Sequence, residues 1–92
     1  MKTNSTSTLK EMFCSVVKGV NFITPNVEEY GQVGRRYIYE LSSGRALDGG
    51  LIYGVTVVEV KEGGILEKAD NLSKCFFSKD DVVQYLDYLA AK

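Results

Sequence analysis

The segment from Leu51 to Val60 constrains the fold more than any other part of this sequence, because it carries the strongest strand signal. It is rich in β-branched residues, which pack well on the pleated surface of a sheet. Its odd-numbered residues form the expected core face, whereas Gly54 and Thr56 point the other way. Val58 and Val60 break this alternation and leave two interpretations open: both faces of the sheet are covered there, or a β-bulge shifts the register.

The residues before this strand predict a hairpin with a long loop. Arg35 to Leu41 alternates in strand fashion, with its tyrosines on one face. Ser42 to Gly50 contains three glycines and is expected to be the hairpin loop. Asn26 to Gly34, which carries adjacent glutamates and scattered glycines, is interpreted as a connection.

After the main strand, the chain is expected to turn back twice. Lys61-Glu62-Gly63-Gly64 is a turn sequence, after which Ile65 to Ala69 predicts a short returning strand. A break at Asp70-Asn71 then precedes another short predicted strand from Leu72 to Phe77.

Helices are predicted at both ends of this strand-rich region. Thr8 and Glu11 fit a capping box, which predicts a helix from about Leu9 to Lys18, closed by Gly19. An extended strand from Val16 to Ile23 is the alternative, since β-branched residues occur there.

The helix at the C-terminal end is more clearly marked. Ser78 can cap it, and the carboxylates of Asp80 and Asp81 suit the positively polarised start of a helix. Its predicted buried stripe consists of Val82, Val83, Leu86, Leu89 and Ala90.

The expected fold class is therefore α+β. We expect a small, mainly antiparallel sheet of about three to four strands, with an N-terminal and a C-terminal helix packed on one face in two layers. Residues 1–8 are expected to be a disordered polar leader, and residues 9–92 a single domain.

The chain contains no histidine, which limits its chemistry. Ser-His-Asp and Cys-His nucleophile systems and all histidine-containing metal sites are excluded. The glycine spacing matches neither a Walker nor a dinucleotide-binding motif. The acidic pairs Glu28-Glu29 and Asp80-Asp81 are sequence neighbours and do not face a common point. We expect no enzymatic activity, no catalytic residue, no metal site and no cofactor.

The near balance of charge argues against nucleic acid and membrane partners. The formal net charge is -1, so long-range attraction to phosphate or anionic lipid is weak. The order of elements is also that of double-stranded-RNA-binding domains, which place lysines at the start of the last helix. Here Lys79 is followed by Asp80 and Asp81, so RNA binding is not expected.

Cys14 and Cys75 each lie within an apolar stretch and are predicted to be buried reduced thiols. Residues 1–8 are polar and lack the apolar segment of a secretion signal, so a cytoplasmic location is expected. No apolar run approaches the length of a transmembrane helix.

Tyr85 and Tyr88 flank the predicted buried stripe of the last helix and are the candidates for partner binding. Tyrosine is favoured at protein interfaces because its ring combines apolar area with a polar tip. The sequence predicts that replacing either one by alanine weakens association while leaving the melting temperature nearly unchanged.

The main basic cluster consists of Arg35, Arg36 and Arg45, the last lying across the predicted hairpin. With backbone donors of the glycine-rich loop, these arginines could hold a small anion. The alternative is a solvated edge, with the arginines paired to Glu40 or Glu59.

A tyrosine-rich stretch, Tyr37-Ile38-Tyr39-Glu40-Leu41, is followed by Tyr53-Gly54-Val55 and by a helix from Val82 to Leu89. On these segments, Arg35 to Leu89 resembles a family of small uncharacterised proteins from Gram-positive, mainly clostridial, bacteria. The resemblance implies a fold and a cytoplasmic bacterial setting, and no activity.

The expected function is that of a non-enzymatic interaction module. It would be a small bacterial or phage-encoded accessory, regulatory or inhibitor-like protein that binds a protein partner or a second copy of itself. Binding of a small anionic ligand at the arginine- and glycine-rich hairpin loop is the alternative.

Overall fold

The computed structural model describes residues 6–17 and 23–92. Within these ranges the chain forms an antiparallel sheet with a helix at each end, so the predicted α+β class is confirmed. The elements in chain order are α1 (Thr6–Cys14), β1 (Asn26–Val33), β2 (Tyr37–Arg45), β3 (Leu51–Val60), β4 (Leu66–Lys68), β5 (Lys74–Phe76) and α2 (Lys79–Ala90). Strand β3 is central, because β2 pairs with one of its edges and the short strands β4 and β5 pair with separate parts of the other.

Strand β1 corrects the prediction that residues 26–34 are a connection. It pairs with β2 from Asn26 to Val33, and among the described residues it has no partner on its outer side. Because only one side of an edge strand is paired and most of its side chains reach water, glutamates and a glycine are tolerated there. Val33 is the buried residue of this strand.

Strand β2 is longer than predicted, because Ser42 to Arg45 continues it and pairs with Leu51 to Gly54. The hairpin loop is therefore shorter than the predicted span from Ser42 to Gly50. Pairing with β3 outweighs the weak strand propensity of serine and glycine in this part of β2.

The two helices lie on opposite faces of the sheet, so the prediction of two layers with both helices on one face is wrong. Helix α2 covers the face that carries Tyr37, Tyr39, Leu41, Val55 and Val57, against which it buries Val82 and Leu89. Helix α1 covers the other face, where its Leu9 and Phe13 pack on Ile38 and Val58.

Neighbouring valines of β3 show how both faces are covered. Val57 and Val58 point to opposite sides and are each 0% exposed. The pairing of β2 with β3 is continuous from Tyr37 to Arg45, without a bulge. The interpretation that both faces are covered is confirmed, and the bulge interpretation is wrong.

Helix α1 begins at Thr6, inside the predicted leader, so Thr8 is within the helix and does not cap it. It ends at Cys14, earlier than predicted. Gly19 and most of the alternative strand lie outside the described residues.

Helix α2 confirms the predicted start, because the backbone N–H of Asp81 donates to the Ser78 hydroxyl at 3.2 Å. Val82 and Leu89 are buried as predicted, whereas Val83 and Ala90 are exposed. The helix touches the sheet along a narrow line through Val82 and Leu89. Val83 and Ala90 are seven residues apart and both lie to the same side of that line, where they reach water.

The chain crosses β2 and β3 through Ile23 and Thr24, which we call the strap. The Ser42 hydroxyl donates to the Thr24 hydroxyl at 2.9 Å, and both side chains are buried. A Cβ atom on Gly44 would overlap the Ile23 carbonyl oxygen. Small residues in this part of β2 are therefore required by the close approach of the strap.

Phenol–carboxylate pairs across β1 and β2 predict a loss of stability at alkaline pH. The Tyr30 hydroxyl donates to Glu40 at 2.8 Å, and the Tyr39 hydroxyl donates to Glu29 at 2.5 Å. Burial, and then the neighbouring carboxylate, raise the pKa of both tyrosines above the ordinary value. A raised folded-state pKa gives stability that is fully present below the unfolded pKa of about 10 and is lost as the pH rises beyond it.

We therefore expect the melting temperature to fall between about pH 9 and about pH 11, and to fall less in the variant Y30F/Y39F, which lacks both hydroxyls. Thermal melts across this pH range check the prediction, with phenolate absorbance as the readout of ionisation. Equal falls in the two proteins would contradict it.

Candidate functional site

Three aromatic rings, which we call the aromatic stack, lie side by side at the surface: Phe76 of β5 and Tyr85 and Tyr88 of α2. The tyrosines are three positions apart, which places them on one side of the helix. Their ring centroids are 5.9 Å apart with planes inclined by 25°, a stacked arrangement. The Phe76 ring lies 5.2 Å from that of Tyr85.

The two tyrosines of the stack have different roles. Tyr85 is half-buried, and its hydroxyl donates to the Leu72 carbonyl oxygen at 2.5 Å. Burial raises the pKa of Tyr85 above its usual range. Tyr88 is 55% exposed and presents its ring to solvent. The sequence-based expectation that Tyr85→Ala leaves stability unchanged is incompatible with these contacts, whereas the corresponding expectation for Tyr88 stays a prediction.

Removing the Tyr85 hydroxyl is expected to distinguish the anchored tyrosine from the exposed one by its effect on the free energy of unfolding. Tyr85→Phe removes the donor to Leu72, and we expect it to lower the free energy of unfolding by about 1 kcal/mol. Tyr88→Phe is the matched control and should change it by less than about 0.5 kcal/mol. Urea denaturation of the three proteins measures both values, and equal effects would contradict the assigned anchoring role.

A groove of about 530 Å³ separates the turn between β1 and β2 from the end of α2. Gly34 begins that turn with φ +62, a conformation that other residues rarely adopt, and its backbone faces Leu89 and Ala90. The residues that line this groove are Gly34, Arg35, Arg36, Tyr37, Leu89, Ala90 and Lys92. Because its charged side chains are the two arginines and the lysine, we call it the basic groove.

The cations of the basic groove form no ion pair within the described part of the chain. Its ion pairs join Lys61 with Glu67, Lys68 with Asp70 and Lys79 with Glu28, and none involves Arg35, Arg36 or Lys92. The predicted pairing of these arginines with Glu40 or Glu59 is absent from the described residues. Glu40 accepts a hydrogen bond from Tyr30 instead.

Lys92 joins the basic groove to the aromatic stack. It lines the groove, and its Nζ lies 5.2 Å from the centroid of the Tyr88 ring. At the other end of the stack, Lys74 Nζ lies 5.8 Å from the Tyr85 ring centroid. Cations at this distance are attracted to the face of an aromatic ring. The stack and the groove therefore meet at Lys92, and together we call them the binding surface.

Arg45 is not part of this surface, which corrects the predicted cluster of three arginines. Arg35 and Arg36 precede β2, whereas Arg45 ends it, so about 30 Å of extended strand separates Arg36 from Arg45. Arg45 donates to the Gly49 carbonyl oxygen at 2.9 Å, within its own loop. The small-anion site predicted at the hairpin loop is therefore not assembled.

Both cysteines are exposed, so the prediction of buried thiols is wrong. Cys14 ends α1, and Cys75 lies on the short strand β5; an apolar sequence neighbourhood did not bury either side chain.

The acidic pairs lie on β1 and in the first turn of α2. Glu28 accepts from Lys79 at 3.3 Å, whereas Glu29 accepts from Tyr39. Asp80 and Asp81 lie in the first turn of α2. In the described ranges, no three cysteine or carboxylate side chains are grouped so that they could hold a metal ion.

The chain matches no known protein family, no curated protein and no solved structure. Across the described residues, neither helix combines the length and apolarity needed to cross a membrane. The resemblance to clostridial proteins stays a prediction.

Sequence patterns indicated Arg35, Arg36, Tyr85 and Tyr88 but missed the contribution of Phe76 and Lys92. Phe76 reads as an ordinary strand residue, and Lys92 follows the last helix without any pattern linking it to the turn at Gly34. Folding brings these residues together from distant positions, which explains why no local signal marks them.

Proposed function

We propose that this protein is a non-enzymatic interaction module that binds a protein partner through the binding surface. The observation that carries the proposal is the state of Tyr88, which is 55% exposed and yet stacked on the anchored ring of Tyr85. A large ring held in one orientation loses little conformational freedom when a partner covers it. Residues of this kind form the energetic centres of protein interfaces.

A protein partner is favoured over nucleic acid by the surroundings of the rings. Bases stack on free aromatic faces above a groove that tracks several phosphates. Here Tyr85 and Tyr88 stack on each other, and a lysine lies over each ring. The same helix carries Asp80, Asp81 and Asp87, which would repel a long polyanion.

An accessory, regulatory or inhibitor-like role follows from binding without catalysis, since such a protein acts by occupying a surface of its partner. The resemblance to clostridial proteins supports a bacterial or phage origin and a cytoplasmic setting. A second copy of the chain is the other occupant consistent with a tyrosine-rich surface.

Affinity capture with matched variants tests the proposal. The wild-type protein, Tyr88→Ala and Val83→Ala are tagged and incubated with nuclease-treated bacterial lysate. Val83 is 52% exposed on the same helix and lies outside the binding surface, so it controls for loss of an exposed apolar side chain.

We expect one protein to be retained by wild type and Val83→Ala in equal amounts. Its affinity for Tyr88→Ala should be at least roughly tenfold weaker, because an interface tyrosine contributes about 2 kcal/mol. Light scattering of the isolated protein distinguishes a foreign partner from a second copy. Equal retention by all three proteins, or no retention by any combined with a monomeric wild type in light scattering, would overturn the proposal.

A further inference from the structure

The chemistry of the basic groove indicates which kind of partner segment the binding surface takes. Its charged side chains are those of Arg35, Arg36 and Lys92, and no Asp or Glu is among its lining residues. These side chains form no ion pair elsewhere in the described ranges.

An acidic peptide is the ligand that complements this arrangement. Arginine guanidinium groups bind carboxylates through paired, charge-assisted hydrogen bonds. The groove runs past Leu89 and Ala90 to Lys92, which lies over the ring of Tyr88. A segment that combines carboxylates with an apolar anchor could therefore contact the arginines and the aromatic stack together.

A longer polyanion fits less well. Nucleic acid binding needs cations spread along a path of several phosphates. The cations of the basic groove lie together near the end of α2, and the first turn of that helix carries Asp80 and Asp81.

Resting on the proposed function, we infer that the basic groove binds an acidic segment of the protein partner, whose carboxylates pair with Arg35 and Arg36 while an adjacent apolar side chain packs on Tyr88. Arg35 and Arg36 select for carboxylates, and the aromatic stack supplies contact area. Arginine recognition makes this contact sensitive to ionic strength, because exposed charges are screened by salt.

Selection from a displayed random-peptide library tests the inference, and it can be carried out before the partner is identified. The full-length protein is used as wild type, R35Q/R36Q, Tyr88→Ala and Arg45→Gln. Arg45→Gln is the matched control, because it removes an exposed arginine that lies outside the groove. A thermal melt of each variant establishes that it is folded.

We expect peptides selected by wild type and by Arg45→Gln to be enriched in Asp and Glu over the unselected library. R35Q/R36Q should lose this enrichment and bind the best selected peptide roughly tenfold more weakly or worse. Raising the salt concentration should weaken the wild-type complex more than that of R35Q/R36Q.

The outcomes separate this inference from the proposed function. Wild type could instead select peptides that have no excess of Asp and Glu and that Tyr88→Ala does not bind. This result would overturn the acidic-segment inference and leave the proposed function standing. Failure of wild type to select any peptide over Tyr88→Ala would overturn the inference, whereas the proposed function is decided separately by the capture experiment with Tyr88→Ala. Tighter binding of a single-stranded oligonucleotide than of the best acidic peptide, or equal thermal stabilisation by inorganic phosphate, would also overturn the inference and reassign the groove.

Discussion

Phe13→Ala is expected to lower the free energy of unfolding by about 3–5 kcal/mol, the range found for buried phenylalanines. Phe13 is 1% exposed and packs on Ile38 and Val58, with its ring edge-on to Tyr30 at 5.6 Å between centroids. A helix as short as α1 has little stability of its own, so its order depends on this contact.

Urea denaturation of Phe13→Ala and of Glu11→Ala measures this effect. Glu11 is exposed on the same helix, so its substitution should change the free energy of unfolding by less than about 0.5 kcal/mol. Hydrogen exchange should show that α1 loses protection in Phe13→Ala more than α2 does. An effect of Phe13→Ala no larger than that of the control would mean that α1 is not docked on this face.

Gly44→Ala is expected to lower the free energy of unfolding by about 3 kcal/mol, at the upper end of the range for overpacking. The added Cβ would overlap the Ile23 carbonyl oxygen, and a backbone atom cannot rotate aside. The strap must move, which strains the buried hydrogen bond between Ser42 and Thr24.

The control for this substitution is Gly50→Ala in the hairpin loop, where the nearest atom is the flexible Asp48 side chain at 3.2 Å. It should change stability by less than about 0.5 kcal/mol. Thermal melts of both variants decide the matter, since similar melting temperatures would contradict the close contact between the strap and β2.

Local patterns predicted the elements whose own side chains make the core. Strand β3 and helix α2 were identified because their apolar residues recur at strand and helix periods, and Ser78 caps the helix as expected. Strand β1 and the end of β2 were not, because their glutamates, serines and glycines are held by pairing with neighbouring strands. That pairing is long-range and leaves no local signal.

Val58 breaks the apolar alternation of β3, so the sequence left open whether the second face of the sheet is covered. One sequence could not decide between a covered second face and a bulge, because both produce the same pattern. The structure decides it through Leu9 and Phe13, which cover that face by packing on Ile38 and Val58.

The candidate site was predictable residue by residue only in part. The sequence indicated Tyr88, Arg35 and Arg36 as candidates. That these residues share one surface depends on Gly34 and Lys92, which line the same groove only in the folded chain. Arg45 was grouped with Arg35 and Arg36 because it lies across the predicted hairpin. It ends β2, whereas the other two arginines precede that strand, so the length of the strand separates them.

The central claim is that partner binding takes place at the aromatic stack and the basic groove. Amide hydrogen exchange of the protein alone and in complex with the partner retained by wild type tests it most directly. We predict slower exchange in the complex at Gly34 to Tyr37 and at Tyr85 to Ala90, with little change in α1. Slower exchange confined to the outer edge of β1, with none at these two segments, would contradict the claim.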